Sequence, residues 1–279
     1  MYVYPTIEEV TTGRKQLQGT VALVPTMGNL HEGHLTLVRE AIQLADNVIA
    51  TIFVNPMQFG PNEDLDSYPR TLERDLELLK REGVSIVFTP SNTEIYPEGV
   101  ERHTQVFVPE ITTDYCGANR PGHFTGVSTI VLKLFNITNP DIAVFGKKDY
   151  QQLAVIRKMV TDLAVPIEIV GLDTVREHSG LAMSSRNQYL TPTERTQATA
   201  LSQTLSWAKS EVLSGQQSFD NIENQAIANL GEVGFNMEYF TIADQTNLKV
   251  ADENTAELVI LAAGKLGSTR LIDNIDFSK

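Results

Sequence analysis

Cysteine is nearly absent: Cys116 is the single one in 279 residues. One thiol excludes an internal disulfide and a cysteine-based metal cluster. It leaves Cys116 as either a nucleophile or a bland packed or loop thiol. Cations are scarce as well. Lys and Arg total 22 against 35 Asp and Glu, a net charge of −13. That balance argues against a nucleic-acid partner, which favours a basic face. No apolar run approaches the ~20 residues that a membrane span needs, so no membrane partner is expected. Met1-Tyr2-Val3-Tyr4-Pro5 lacks a charged-then-apolar signal pattern, which makes the cytoplasm the expected location. Internal repeats and low-complexity segments are missing too. What is present is an ordinary soluble composition, 42% hydrophobic and 20% charged. The chain is long enough for a full core and for two domains.

The first part alternates short apolar runs with amphipathic stretches. Val21 to Val24, Val48 to Val54, Val84 to Phe88, Ile142 to Phe145 and Ile167 to Val170 read as strands. Leu35 to Ala45, Thr71 to Arg81, Val127 to Thr138 and Gln151 to Leu163 read as helices between them. Such alternation implies an α/β fold with a mostly parallel sheet and helices on both faces. Ligands then bind beyond the carboxyl ends of the strands. The pattern changes after about Asp173. Thr191 caps a long helix, Phe219 to Leu230 reads as a second, and Met237 to Ala243 and Glu257 to Ala262 read as strands. The expected division is residues 1–173 as a nucleotide-binding domain and 174–279 as a smaller α+β domain. The acidic loop at 61–66 reads as a solvated, mobile connection.

Five segments can carry chemistry. Pro25-Thr26-Met27-Gly28-Asn29-Leu30-His31-Glu32-Gly33-His34 predicts a strand end, a turn and a helix start. It aims backbone amides and two imidazoles at one spot, where a phosphate fits. The bland alternative is a capped surface helix, and a zinc site lacks a third ligand. Asn55-Pro56-Met57-Gln58 is either an ordinary turn or a pocket wall whose Gln58 amide binds a carboxylate without neutralising it. Arg120 to Val127 is a shaped loop in which Arg120 or His123 contacts an anion, or a purely structural one. Gly146-Lys147-Lys148-Asp149 sits at a strand–helix junction, where a lysine pairs with phosphate. Asp149 there holds the lysine, caps the helix or binds ribose, with Gln152 on its helix face. Met183-Ser184-Ser185-Arg186 offers two hydroxyls and a guanidinium as a phosphate grip, or is an exposed linker. Three of these segments follow strands and one lies at a domain junction, the expected layout for ATP chemistry in an open α/β sheet.

Together these motifs resemble the pantothenate synthetase (pantoate–β-alanine ligase) family. The likeness rests on Pro25 to His34, Phe53 to Phe59, Tyr68-Pro69-Arg70-Thr71, Arg120 to Val127, Lys148 to Gln152, Met183 to Asn187 and Arg270 to Asn274. HxGH and the Ser-Ser-Arg loop also resemble the wider nucleotidyltransferases and class I aminoacyl-tRNA synthetases. The resemblance implies a Rossmann-like N-terminal domain, a lid-like C-terminal domain, a homodimer and a need for Mg²⁺. It implies that pantoate attacks the α-phosphorus of ATP and that the β-alanine amine then attacks the acyl carbon of pantoyl adenylate. Carried over, Met27, Gly28, Asn29, Leu30, His31, Glu32, Gly33 and His34 hold ATP, with His34 as a proton donor. Gly146, Lys147, Lys148, Asp149, Val175, Met183, Ser184, Ser185 and Arg186 complete the nucleotide site. Gln58 and Gln152 bind pantoate, and Gln58 also lies near β-alanine.

The physics agrees with this division. Attack at phosphorus adds negative charge to non-bridging oxygens. His31, His34, Lys148, Ser184, Ser185 and Arg186 are the donors expected to stabilise it as catalytic residues. Pyrophosphate leaves as an anion, so His34 is expected to act through electrostatics and positioning more than as an acid. Lys147 stands where the family more often has an acidic or amide residue; it alters phosphate affinity or faces solvent. Asp75 is either a Mg²⁺ helper or a helix-surface residue, and no base for the β-alanine ammonium stands out. Two rival classes remain. A nucleotidyltransferase with a phosphorylated acceptor calls for more cations than Gln58 and Gln152 supply. A decayed, non-catalytic nucleotide sensor conflicts with the intact donor set.

Overall fold

The computed structural model describes residues 1–61 and 63–279; residue 62, within the acidic loop expected to be mobile, lies outside the described residues. The chain begins with β1 (Tyr2–Tyr4), α1 (Ile7–Gln16), β2 (Val21–Thr26), α2 (Glu32–Leu44) and β3 (Asn47–Ile52). It continues with α3 (Leu72–Glu82), β4 (Ile86–Phe88), α4 (Asn92–Ile95), α5 (Cys116–Asn119) and α6 (His123–Thr138), then β5 (Ile142–Gly146), α7 (Tyr150–Asp162) and β6 (Glu168–Leu172). The strands form one six-stranded sheet in the order β1-β4-β3-β2-β5-β6, and every pairing is parallel. The expected α/β, Rossmann-like class is therefore observed. β1 and α1 extend the expected set; β1 has only three residues, largely exposed, and leaves little apolar signal.

The central strands are buried on both faces, which is why β2 reads as a nearly continuous apolar run. Strand order reverses between β2 and β5, the place where such sheets open a crevice. The β2–β5 ladder registers only Ala22 with Ile142 and Leu23 with Ala143. Beyond that the strands separate. Pro25 fits this opening. In a parallel strand the N–H and C=O of one residue point to the same side. Val21 accepts from Asp141 N on the β5 side, and Thr26 accepts from Phe53 N on the β3 side. Pro25 thus faces β5, where the ladder has already ended, and its missing N–H forfeits no bond.

The remaining chain forms α8 (Pro192–Ser214), α9 (Phe219–Glu232), β7 (Phe235–Asp244), β8 (Glu257–Leu266) and β9 (Thr269–Ser278). The three strands make an antiparallel sheet in the order β7-β8-β9. Thr191 and Glu194 close the expected cap on α8 by a reciprocal capping box. Leu201, Leu205, Ile222, Leu230, Phe240 and Ile260 fill the core between α8, α9 and this sheet. On the other side Ala243, Leu248, Val259 and Leu261 join the core that holds Phe124, Tyr150 and Leu153. One apolar cluster thus ties the small sheet to the large one. β9 is an addition to the strands expected from sequence. Its polar positions bind back to the first sheet: Asp276 pairs with Lys147 at 2.8 Å, and Asn274 Nδ2 donates to Lys147 O at 2.8 Å and Lys148 O at 2.9 Å. Among the described residues no helix is long and apolar enough to cross a membrane.

Candidate active site

The turn after β2 is held from below. Thr26 Oγ1 donates to Thr51 O at 2.7 Å and accepts from Gly28 N at 3.2 Å. Asp75, on α3 and fully buried, accepts from Asn29 N at 2.8 Å, Leu30 N at 2.9 Å and Thr71 Oγ1 at 3.0 Å. The amides of Gly28, Asn29 and Leu30 are therefore spent inside the protein and do not aim at an anion as the sequence suggested. Asp75 is neither exposed nor free for a metal; it builds the turn. Leu30 packs in the core, and Glu32 pairs with Arg39 on the outer side of α2. Met27, His31, Gly33 and His34 do reach the cavity.

The two imidazoles lie against each other, with ring centroids 4.1 Å apart. His31 N donates to His34 Nδ1 at 3.3 Å, so His34 carries its proton on Nε2. Burial, and then the charge of Lys148, lowers His31 to about 4. Burial, and then His31, lowers His34 to about 3. Both rings are neutral near pH 7 and offer hydrogen-bond donors rather than cations. Gly33 is required beside them: a Cβ there would stand 2.9 Å from His31 Cε1.

Gln58 sits in the 3₁₀ turn Pro56–Gln58 that follows β3. Its backbone carbonyl accepts from His123 Nδ1 at 2.8 Å, and its side chain meets Asn55 and Met27. His123 Nε2 accepts from Arg120 at 2.9 Å. Burial, and then Arg120, lowers His123 to about 4. Arg120 and the first turn of α6, which begins at His123 inside the segment read as a loop from sequence, thus clamp Gln58. Arg120 also pairs with Glu63 at 2.6 Å.

At the end of β5, Gly146, Lys148, Asp149 and Gln152 line the cavity. Asp149 is enclosed by protein yet open to the cavity. Burial raises its pKa, but the charges of Lys148 and then Arg186 outweigh that and keep it ionised. Lys147 turns away. It pairs with Asp173 at 2.7 Å and Asp276 at 2.8 Å, so it bridges the two sheets and neither faces a phosphate nor stands free in solvent. The two adjacent glutamines divide: Gln151 is buried and accepts from Cys116 N at 3.0 Å, whereas Gln152 faces the cavity. Cys116 itself is buried, its sulfur 3.1 Å from Tyr239 Oη and 3.4 Å from Arg270.

The Ser-Ser-Arg segment closes the opposite wall. Met183 N donates to Val175 O at 2.9 Å, which brings both residues to the cavity. Ser184 caps the 3₁₀ turn Ser185–Tyr189 by accepting from Arg186 N. Ser185 Oγ donates to Asn29 O at 3.3 Å, joining this loop to the turn after β2. Arg186 makes a two-pronged pair with Asp64, at 3.1 and 2.8 Å. Of the sequence-derived residues, Gly28, Asn29, Leu30, Glu32 and Lys147 do not line the cavity. Asn55 and Tyr68 line it too, each inside a segment singled out in the sequence but without a role assigned to it there. Asn55 had one local signal, a cap residue before Pro56.

The cavity holds about 250 Å³. A second space of about 450 Å³ toward the small sheet shares Arg120, Lys148, Asp149, Gln152, Ser184 and Arg186 with it. The two form one cleft. Among the described residues no three His, Cys, Asp or Glu side chains group to hold a metal ion.

Fold and site define a nucleotide-using α/β enzyme: a parallel sheet open at its switch point, with neutral imidazoles, a lysine and a Ser-Ser-Arg loop around the opening. The family model "Pantoate-beta-alanine ligase" matches residues 3–276, and the chain belongs to that family. Pantothenate synthetase from Shewanella loihica is 51% identical over 282 residues and is covered in full, as is this chain. The Shewanella baltica enzyme is 55% identical over 260 residues, 93% of this chain and 92% of its own. Among solved structures, pantothenate synthetase from Thermus thermophilus superposes with a TM-score of 0.92 at 44% identity, over 99% of each chain. Pantoate-beta-alanine ligase from Francisella tularensis, complexed with Beta-gamma ATP and Beta-alanine, gives 0.83 at 35% identity over 99% of this chain and 97% of that one.

Proposed function

We propose that this chain joins (R)-pantoate to β-alanine with ATP, giving pantothenate, AMP and pyrophosphate through pantoyl adenylate. A pantoate carboxylate oxygen attacks the α-phosphorus. The bond from that phosphorus to the bridging oxygen breaks, and pyrophosphate leaves with the electron pair. The β-alanine nitrogen, after its ammonium gives up one proton, attacks the acyl carbon. The acyl–oxygen bond breaks, AMP leaves, and the nitrogen releases its second proton to solvent.

The residues take the following roles. His31 and His34 donate to phosphate oxygens as neutral imidazoles. Lys148, Ser184, Ser185 and Arg186 stabilise the charge that grows at phosphorus. Met27, Gly33, Gly146, Asp149, Val175 and Met183 shape the nucleotide end. Gln58 and Gln152 bind pantoate without cancelling the charge of its nucleophilic carboxylate. Mg²⁺ accompanies the phosphates and offsets their charge. Residues 174–279 serve as a lid that excludes water from the acyl adenylate. The enzyme acts as a homodimer in the cytoplasm, where ATP is supplied.

The observation that carries this reading is the convergence of both imidazoles, Lys148 and the Ser184–Arg186 loop with Gln58 and Gln152 on one cavity beyond β2 and β5. The test follows AMP and pyrophosphate from Mg²⁺-ATP and pantoate, with and without β-alanine. Turnover that requires both acids and yields pantothenate supports the reading. Bound ATP with no turnover from folded protein overturns it.

A further inference from the structure

Tyr96 stands outside every role given so far. It lies just past α4, 3% exposed, with its ring against Phe53 and His103. Its hydroxyl donates to Asn55 Oδ1 at 2.7 Å. Asn55 is 1% exposed. The same Oδ1 accepts from Met57 N at 3.3 Å, and the Nδ2 donates to Gly126 O at 3.1 Å and to Gln58 Oε1 at 3.1 Å. Met57 N–H can only donate and Gly126 O can only accept, so these two fix which end of the amide is oxygen, and the hydroxyl and Gln58 follow. A hydroxyl and a backbone N–H supply protons to one end, and two carbonyl oxygens accept them from the other.

That polarity passes on. Asn55 Nδ2 engages Gln58 Oε1, so the acceptor end of Gln58 is taken. The Nε2 end is the one presented at the cavity, beside Met27 Sδ at 3.3 Å. A hydroxy-acid bound there meets a fixed N–H donor. A reversed amide would meet its carboxylate oxygen to oxygen.

We infer that Tyr96 is a positioning residue for pantoate: its hydroxyl anchors the Asn55 carboxamide that holds Gln58 Oε1, and so keeps the Gln58 amide aimed at the substrate. The bond is an anchor rather than a packing contact because the hydroxyl, not the ring, makes the shortest of the four bonds to the Asn55 amide. Without it, Asn55 Oδ1 keeps only the long contact to Met57, and the Asn55 and Gln58 side chains are held less firmly. The backbone does not follow them. His123 holds the Gln58 carbonyl, and a Cβ on Gly126 would stand 2.4 Å from Met57 O, so α6 presses directly on this turn. The consequence is confined to side-chain orientation, and therefore to one substrate.

This inference rests on the assignment of Gln58 to pantoate, and the experiment separates the two. Steady-state kinetics of the full-length enzyme are measured for Tyr96→Phe, Tyr96→Leu and Gln58→Ala, with Tm for each. Tyr96→Phe keeps the ring and removes the hydroxyl. The expected result is a KM for pantoate raised about ten-fold, the scale of one buried hydrogen-bond partner lost, with KM for ATP and Tm close to the parent. A Tyr96→Phe enzyme with parental pantoate KM beside an impaired Tyr96→Leu assigns Tyr96 to packing and overturns the inference. If Gln58→Ala leaves the pantoate KM unchanged, the assignment of Gln58 fails and this inference falls with it. If Gln58→Ala raises that KM and Tyr96→Phe does not, only the inference fails.

Discussion

The two ends of the cleft are prepared in different ways. At the proposed pantoate end, Gln58 is held chiefly by neutral partners: His123 on its carbonyl and Asn55 on its side chain. At the proposed phosphate end, the guanidinium of Arg186 is paired with Asp64. The first end is preorganised. Its hydrogen bonds are already made in the absence of substrate. The second end is charge-balanced, and an incoming phosphate must compete with a carboxylate already in place. A fixed donor set suits a small acid that must be aimed at phosphorus. An exchangeable ion pair suits a polyanion, because it keeps a guanidinium partly desolvated without leaving it unpaired.

The comparison breaks most severely at His34, which belongs to the phosphate end but is preorganised like the other. His34→Ala removes a neutral donor fixed by His31 N and is expected to slow adenylate formation by on the order of 10²–10³, with Tm nearly unchanged. Pyrophosphate release measured in single turnover checks it; parental rates would remove His34 from the transition state. Next is Asp75→Asn, which acts on the support rather than the site. It sets an amide against Asn29 N, Leu30 N and Thr71, and at least one backbone N–H loses its acceptor. The expected cost is about 1–3 kcal/mol for each, seen as a Tm lower by at least a few degrees, together with loss of activity. Full stability would show that the turn after β2 does not depend on α3.

Gln152→Ala sharpens the comparison between the ends. It should raise KM for pantoate about ten-fold and leave KM for ATP near the parent. Equal effects on both substrates would mean that the two ends are not separate. Acid probes the buried imidazoles. His31, His34 and His123 titrate near 6.5 when unfolded and at about 4, 3 and 4 in the fold. Between those values the unfolded chain binds more protons, so stability is fully present above about pH 6.5 and declines as pH falls toward 4. Thermal melts from about pH 7.5 to about 4.5 should show that decline, and a shallower one in His123→Gln.

The central strands were legible because both-face burial writes itself as apolar runs such as Val21 to Val24. His31, His34, Lys148, Ser184 and Arg186 were legible because each lies within a few residues of a strand end or a turn. What escaped acts over distance. Asp75 binds Asn29 from 46 positions away, Tyr96 binds Asn55 from 41, and Lys147 binds Asp276 from 129. No local period encodes such pairs. β9 escaped for a related reason: Asp273, Asn274 and Asp276 interrupt its apolar pattern and hold, in turn, Arg176, the Lys147–Lys148 backbone and the Lys147 side chain. The Gly28–Leu30 amides misled for the same cause. The sequence correctly predicts a turn, but the residue that consumes its donors is on another helix.

The smallest expected effect tests whether the phosphate end is balanced as described. Asp64→Ala removes the carboxylate that grips Arg186 in a partly exposed pair. Such a pair is worth ~0.2–1 kcal/mol, so removing the competitor should lower KM for ATP by about 1.5- to 5-fold. KM for pantoate should not move, because Gln58 and Gln152 have no part in that pair. The sign is the informative quantity. If Asp64 only competes with phosphate, ATP binds more tightly without it. If KM for ATP rises instead, Asp64 is holding Arg186 in the orientation that phosphate needs. The two ends would then be alike after all, each aimed by a second residue before its substrate arrives.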